Sequence, residues 1–242
     1  MRYGIFSDVH SNLPALEAVL TAYQEERIDR HACIGDIVGY AANPRECINK
    51  IRDLKPILVA GNHDWACADL LNTRYFNPIA KEAIEWTEMQ LSHDEKSFLK
   101  SMDLVFSDSN FILVHGTLDS PEDFDYLFDQ LDAQINFELM AADICFVGHT
   151  HIPGVFVQDI NNRISYVQDY PLSLSPRKKY IVNVGSVGQP RDRNPMASYC
   201  VFDSDRSVID IKRVNYDIKQ AQDSIFAAGL PSFLAERLAA GK

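Results

Sequence analysis

Short apolar runs alternate along this chain with stretches whose apolar residues recur every three or four positions, and the two rhythms predict different elements. The runs at residues 3–6, 31–34, 57–60, 111–114, 144–147, 180–184 and 198–202 are bounded by polar or glycine residues and are read as buried strands. Asn161-Asn162, between extended stretches at 155–160 and 163–167, marks a hairpin turn. Helices fall between the runs. Residues 13–26 follow the capping residues Ser11-Asn12 and carry Pro14 in the first turn. In 44–54, Cys47, Ile48, Ile51 and Leu54 recur at helical spacing, and 79–102 reads as two helices broken near Ser92. The tail, 218–238, reads as helix interrupted at 229–231. Early β–α alternation followed by a strand-rich half predicts an α/β fold, two sheets packed face to face with helices outside. No linker, repeat or low-complexity stretch divides the chain, so a single domain over residues 1–242 is expected.

Chemistry gathers where strands are expected to end. Five runs lead directly into residues that ligate metals: Asp8-Val9-His10, Gly35-Asp36, Gly61-Asn62-His63-Asp64, His115-Gly116 and Gly148-His149-Thr150-His151. In open α/β sheets the carboxyl ends of the strands form one rim, where ligand sites lie. Of the seven histidines, His10, His63, His115, His149 and His151 sit in these clusters, and only His31 and His93 do not. A lone histidine at a strand end is an ordinary satisfied polar residue, and Gly61-Asn62-His63-Asp64 alone reads equally as a turn. The five clusters together point to cations that accept carboxylate, imidazole and amide oxygen, such as manganese, iron or zinc.

That order of motifs resembles the calcineurin-like metallophosphoesterases, and the resemblance covers nearly the whole chain. The stretches from Ser7 to Leu16, from Gly35 to Tyr40 and from Asn183 to Arg191 are similar to the compact bacterial branch of small phosphodiesterases. Val184 stands where that branch usually has proline. The resemblance implies a four-layer α/β/β/α sandwich of two mixed sheets flanked by helices. It implies one cation held by Asp8, His10, Asp36 and His151, and a second held by Asp36, Asn62, His115 and His149, with Asp36 bridging. Two divalent or trivalent ions are expected, manganese favoured over iron, zinc, nickel or cobalt. The implied reaction is in-line attack on a phosphate ester by a hydroxide shared between the cations, with His63 as general acid. Orienting the phosphate is the rival role for His63.

Other residues carry two readings each. Asn62, Arg191 and Asn12 are candidate substrate contacts. Arg191 serves either as a bidentate phosphate clamp or as the salt-bridge partner of Asp192, and Asn12 either touches substrate or caps a helix. Asp64 either orients His63 or caps a turn. Phe124, Tyr126 and Phe128, among acidic residues 119–129, either edge the cleft or belong to a half-buried acidic helix, the second being the expectation. Residues 66–110 form either a small helical cap over the site or part of the outer helical layer. Tyr40 follows the second motif where protein phosphatases and dinucleoside tetraphosphatases of the superfamily usually carry an arginine, which lowers both assignments; Arg191 or Arg45 is left to reach the site by another route.

The bulk properties narrow the partners. A formal charge of −11 with no basic run disfavours duplex nucleic acid and a nuclease on long chains, because such binding displaces counterions with a basic footprint. No apolar stretch is long enough to span a membrane and no secretory signal is read, so a cytoplasmic location is expected. Five scattered cysteines in no CxxC pair argue for reduced, mostly buried thiols. The expected function is hydrolysis of a small-molecule phosphate ester, a diester favoured. The alternatives are a phosphomonoesterase, a protein phosphatase or a dinucleoside polyphosphate hydrolase, and, in another class, a metal-binding scaffold with weak or no catalysis. Homo-oligomerisation is left open.

Overall fold

The computed structural model describes residues 1–242, the side chain of Tyr75 excepted. In chain order it runs β1 (Arg2–Phe6), α1 (Leu13–Glu25), β2 (Arg30–Cys33), α2 (Pro44–Leu54), β3 (Ile57–Leu58), α3 (Asn62–Cys67), α4 (Pro78–Gln90) and α5 (His93–Lys100). There follow β4 (Val105–Ser107), β5 (Ile112–Val114), α6 (Gln130–Leu139), β6 (Ile144–Val147), β7 (Gly154–Gln158), β8 (Ile164–Val167) and β9 (Leu172–Ser173). The chain closes with β10 (Lys179–Asn183), β11 (Ala197–Asp203), β12 (Val208–Val214), α7 (Ile218–Ala227) and α8 (Ser232–Ala240). The strands form two six-stranded mixed sheets, ordered β3-β2-β1-β11-β12-β9 and β4-β5-β6-β10-β7-β8. In the first, β1, β2 and β3 run parallel and β11 returns antiparallel beside β1. In the second, β5, β6 and β10 run parallel.

Strand periodicity explains the layering. Side chains of a strand alternate between faces. Tyr3 and Ile5 of β1 therefore enter the core between the sheets, where they meet Phe111, Leu113, Phe146, Val155 and Val182 of the other sheet. Phe6 points the other way, into a core completed by Leu16 and Val19 of α1 and Ile48 and Ile51 of α2. In β5 and β6, Ile112, Val114, Cys145 and Val147 face outward and are covered by Ala133 and Phe137 of α6. Edge-to-face contacts of Phe111 with Tyr3 and Phe202 tie the two sheets together. Burying one large apolar side chain contributes about 1.5–3 kcal/mol, so the double-sided patterning drives a four-layer α/β/β/α sandwich.

Local chemistry sets the helix starts. Asn12 accepts from the Ala15 amide to cap α1, and Ser92 caps α5 by accepting from Glu95, whose carboxylate bonds back to the Ser92 amide. Parts of the sequence reading needed adjustment. The third apolar run forms only a two-residue strand, Val59 continuing it as an isolated bridge to Asp103. The third motif opens a short helix, α3. Residues 124–128 are not an acidic helix. Ser120 and Phe124 adopt left-handed backbone (φ 48° and 53°), which breaks helical geometry, and α6 begins only after the Asp129 cap. Elements α3, α6, β4, β9 and β12 were not anticipated. All five cysteines are buried and free, and among the described residues no helix is long and apolar enough to cross a membrane.

Candidate metal centre

The five motifs meet on one rim because neighbouring parallel strands end together and their loops stay paired. Beyond β1 and β2, the amides of Asp8, His10 and Ser11 donate to the carbonyls of Gly35, Asp36 and Ile37 at 3.1, 2.9 and 2.9 Å. The Gly148 amide donates to the His115 carbonyl at 3.0 Å, and the His149 amide crosses to Asp8 Oδ2 at 3.1 Å, joining the two sheets at the site. Asp8, His10, Asp36, His149 and His151 all adopt φ between 48° and 65°. Non-glycine residues rarely take this region, and each such residue costs about 1–3 kcal/mol of strain. Five of the seven expected ligands share it, so the packing around the site over-determines their positions.

The ligand atoms converge in two groups that share Asp36. Asp8, His10 and His151 bring one donor atom each to within 4.8 Å of one another, as do Asp36, His115 and His149. Asp36 Oδ2 lies 3.5 Å from His10 Nε2 and 3.4 Å from His115 Nε2, one histidine from each group. Asn62 begins α3 with its carbonyl oxygen buried and unpartnered. A further grouping of His10, Asp36 and His63 places the His63 ring at the same centre.

Tautomers decide whether this cluster accepts cations. His10, His115 and His151 each face a backbone carbonyl through Nδ1: Val38 at 3.2 Å, Ile34 at 2.7 Å and Gln189 at 2.6 Å. A carbonyl only accepts, so each Nδ1 carries the proton and each Nε2 presents a lone pair inward. His10 Nε2 and His151 Nε2 are 3.2 Å apart, and His151 Nε2 is 3.2 Å from the unpartnered Asp8 Oδ1. Lone pairs held face to face in a buried site repel unless a cation lies between them. The donor set thus fits a metal centre of mixed oxygen and nitrogen ligands.

The electrostatics agree for His10 and His151 but not for His115, whose Nε2 keeps a proton beside Asp36 until a cation takes its place. Burial pushes His10 and His151 below the ordinary imidazole range, and takes His149 to about 3 and His63 to about 4, leaving these rings neutral. His115 moves to about 9, because burial is outweighed by the Asp36 carboxylate. Asp8 and Asp36 are held low; burial opposes their charge, but His151 beside Asp8 and His115 beside Asp36 outweigh it.

The centre opens on a cavity of about 500 Å³ that Asn62, His63, His149, His151 and Arg191 help to line. His63 is buried, its ring packed edge-on against His10 (4.8 Å) and Phe76 (5.3 Å) and tilted on Tyr40 (4.4 Å), with Nδ1 unpartnered. Gly39 makes room for it. Its φ is +89°, and a Cβ there would stand 2.4 Å from His63 Nδ1. Gly39→Ala is therefore expected to displace the ring and, if His63 is the general acid, to lower kcat at least about ten-fold. Metal content measured by mass spectrometry should stay at the wild-type value, and equal loss of both would contradict a local effect.

Each remaining candidate has a definite place. Arg191 lines the cavity, its guanidinium donating to Gln189 Oε1 (2.9 and 3.3 Å) and to the Tyr40 hydroxyl (3.5 Å). Its rival partner Asp192 is paired with Arg213 instead. Arg45 bonds Glu95 at 3.0 Å and is not among the residues lining the cavity. Asn12 spends its amide on backbone, donating to the Gly188 carbonyl at 2.8 Å besides capping α1, and does not line the cavity. Asp64 does not reach His63. Its Oδ1 accepts from Ile37 and Val38 (2.9 and 3.3 Å) and its Oδ2 from Gly61 (3.0 Å), which clamps the second motif to the third. Burial and then the charge of Asp36 push it up to about 7. Val184 donates to Val147 at 3.1 Å, a bond that proline could not make. Leu71, Phe76 and Ala80 bring the 66–110 segment to one wall of the cavity. The sequence reading missed Asn183, which donates to Gly148 O (2.6 Å) and Thr150 Oγ1 (2.9 Å) and so orients the His149 loop. For Tyr126 the less favoured of its two readings, the cleft edge, is the one the structure shows: the ring lines the cavity and stacks on His149 at 4.0 Å.

Residues 1–207 match the sequence profile of the calcineurin-like phosphoesterase superfamily domain. The chain is 42% identical over 244 residues to an uncharacterized protein of Methanocaldococcus jannaschii, covering 99% of this chain and 98% of that one. Among solved structures it is similar to a metallophosphoesterase from Sphaerobacter thermophilus, with 41% identity, a TM-score of 0.88 and 100% of both chains covered. A hypothetical protein from Pyrococcus horikoshii OT3 shares the fold at 21% identity and a TM-score of 0.81, over 100% of this chain and 98% of that one.

Proposed function

Because the chain belongs to the calcineurin-like phosphoesterase superfamily, we propose that it is a binuclear metal-dependent phosphodiesterase cleaving small or nucleotide-like phosphate esters. The observation that carries this reading is Asp36 Oδ2, set 3.5 Å from His10 Nε2 and 3.4 Å from His115 Nε2, so that one carboxylate serves both ligand groups. Asp8, His10, Asp36 and His151 would hold one ion, and Asp36, Asn62, His115 and His149 the other. When bound, the two cations supply Lewis acidity that activates water and neutralises the phosphate oxygens.

The chain's own residues do the rest. His63 presents an unpartnered ring nitrogen in the cavity and gives its proton to the leaving oxygen. Burial keeps that ring neutral alone, and the negative charge of a bound phosphate favours the protonated form. Arg191, free of any carboxylate partner among the described residues, takes a non-bridging phosphate oxygen from beside His151. Leu71, Phe76 and Ala80 shield the reacting groups from water, within a single domain over residues 1–242. Manganese is the proposed ion. Five buried free thiols support a reducing compartment, for which the cytoplasm is proposed.

The test is hydrolysis of bis(p-nitrophenyl) phosphate and p-nitrophenyl phosphate by metal-stripped protein, with and without Mn²⁺. Mn-dependent cleavage of the diester is expected, and His63→Ala should lower its kcat by about 10²–10⁴-fold, the usual worth of general acid catalysis. Faster cleavage of the monoester would replace the phosphodiesterase reading with a phosphomonoesterase. Two bound metals without turnover of either ester would leave a scaffold.

A further inference from the structure

The loop after β10 crosses from one sheet to the other and ends at the cavity, and its hydrogen bonds leave it little slack. Val187 and Gly188 donate to the carbonyls of Ser7 and Asp8 at 3.0 and 2.9 Å, and Ser186 Oγ donates to the Asp8 carbonyl at 2.8 Å. Gly188 is pressed so closely on the first motif that a Cβ there would stand 1.9 Å from the Val9 carbonyl oxygen. Ser186 Oγ also accepts from the Gln189 amide at 2.8 Å, which fixes a residue that reaches both the ligands and the cavity. The Gln189 carbonyl accepts from His151 Nδ1 at 2.6 Å. Its side-chain oxygen accepts from Arg191, Nη2 at 2.9 Å and Nε at 3.3 Å. Gln189 itself is only 2% exposed.

The acceptors around Arg191 are neutral, which is unusual. A half-buried guanidinium is ordinarily paired with a carboxylate. Here its partners are the Gln189 amide oxygen and the Tyr40 hydroxyl at 3.5 Å, with the Tyr40 ring 5.8 Å from the guanidinium carbon. The neighbouring acid, Asp192, is occupied by Arg213. An amide oxygen aims the guanidinium fork as a carboxylate would, yet leaves its positive charge uncompensated. We infer that Gln189 is a positioning residue for the anion clamp: its neutral oxygen aims Arg191 at the phosphate with the full charge available, and its carbonyl keeps that aim in register with the His151 ligand. The inference rests on the assignment of Arg191 to a phosphate oxygen in the function proposed above. Asp or Glu at this position would hold the same shape and cancel the attraction that the clamp exists to supply.

Inorganic phosphate is titrated by calorimetry into the Mn-loaded wild type and into Arg191→Ala, Gln189→Ala and Gln189→Glu. Arg191→Ala should weaken phosphate binding about ten-fold or more, the worth of a hydrogen bond to a charged group. Gln189→Ala leaves the guanidinium free to rotate and should weaken binding about three- to ten-fold. Gln189→Glu keeps both bonds to Arg191 but sets a negative charge beside the phosphate, so it should weaken binding more than the alanine does, by at least about ten-fold. A packing role alone reverses that order, because the nearly isosteric glutamate would then stay closest to wild type. Metal per chain should be unchanged in both Gln189 variants, since His151 is held by the backbone. In the Arg191→Ala background, Gln189→Ala should add less than about two-fold, as expected of a residue that acts through Arg191. KM for bis(p-nitrophenyl) phosphate should rise in the same order as the phosphate dissociation constants. Wild-type phosphate affinity in Arg191→Ala would remove Arg191 from the phosphate, and the inference with it. Weakened binding in Arg191→Ala but not in Gln189→Ala, or wild-type binding in Gln189→Glu, would overturn the inference alone. If no ester is cleaved, the phosphoesterase reading fails separately and the phosphate titrations still decide.

Discussion

Asp36→Asn is expected to reduce bound metal at both positions and to lower kcat/KM for a phosphodiester by at least about 10³-fold, the equivalent of roughly 4 kcal/mol of lost transition-state stabilisation. The reason is that Asp36 is committed on both oxygens. Oδ1 accepts from the His63 amide at 2.9 Å, and Oδ2 faces His10 at 3.5 Å and His115 at 3.4 Å. An asparagine fills the same space but has one acceptor oxygen and one NH₂. If the oxygen turns toward His63, the NH₂ displaces a ligand common to both groups. If it turns inward, two N–H groups collide at the start of α3. A change confined to one group supplies the contrast. Asn62→Ala removes an oxygen that only the second group would use, so it should lower metal content by about one ion per chain and leave the other in place. The measurement is metal per chain by mass spectrometry after dialysis against Mn²⁺, with steady-state kinetics on bis(p-nitrophenyl) phosphate and a melting curve for each variant. If Asp36→Asn keeps one ion at wild-type affinity, the carboxylate is not shared and the binuclear reading fails.

How much of this was legible in the sequence depends on how local the signal is. Strands buried on both faces announce themselves as apolar runs, and 2–6, 30–33, 112–114 and 144–147 were found that way. Capping chemistry is equally local, so Asn12 and Ser92 marked their helices. Strand β12 escaped because its outward face is charged. Ile209 and Ile211 are buried between Asp210 and Lys212, an alternation that a search for continuous runs passes over. For 124–128 the deciding fact is the left-handed backbone at Ser120 and Phe124, which tertiary packing against Gly116 imposes and composition does not encode. The candidate ligands were readable because they follow the strands in a recognisable order. Their supporting bonds were not. The carbonyls of Val38, Ile34 and Gln189 that fix the histidine tautomers come from residues with no distinguishing side-chain chemistry, up to 81 positions away. Tyr126 was read as a rival candidate for the cleft edge, and what places it there is a stack on His149, 23 residues downstream in the chain.

Asp64→Ala should destabilise the protein by about 3–5 kcal/mol, a loss at the upper end for single substitutions, because three buried N–H groups lose their acceptor at once. Asp64 is fully buried, and it alone receives the amides of Ile37, Val38 and Gly61 through its two oxygens. The position is buried, and each orphaned donor costs about 1–3 kcal/mol. One effect opposes this. Asp64 stands near the Asp36 charge, and its removal relieves that repulsion. With its carboxyl moved up to about 7, Asp64 is only partly ionised at neutral pH, so the repulsion relieved is partial and the three lost hydrogen bonds win. Asp64→Asn separates the terms: its oxygen still accepts from Ile37 and Val38, but its NH₂ confronts the Gly61 N–H. The expected order of stability is wild type, then Asn, then Ala, with the alanine variant melting about 10 °C lower for a chain of this size. Since the clamp joins the loop of Asp36 to the helix that starts with Asn62 and His63, metal affinity should fall in the same order. A melting temperature within 2 °C of wild type for Asp64→Ala, in urea and thermal unfolding alike, would show that this clamp does not hold the two motifs together (the 2 °C margin is roughly 1 kcal/mol).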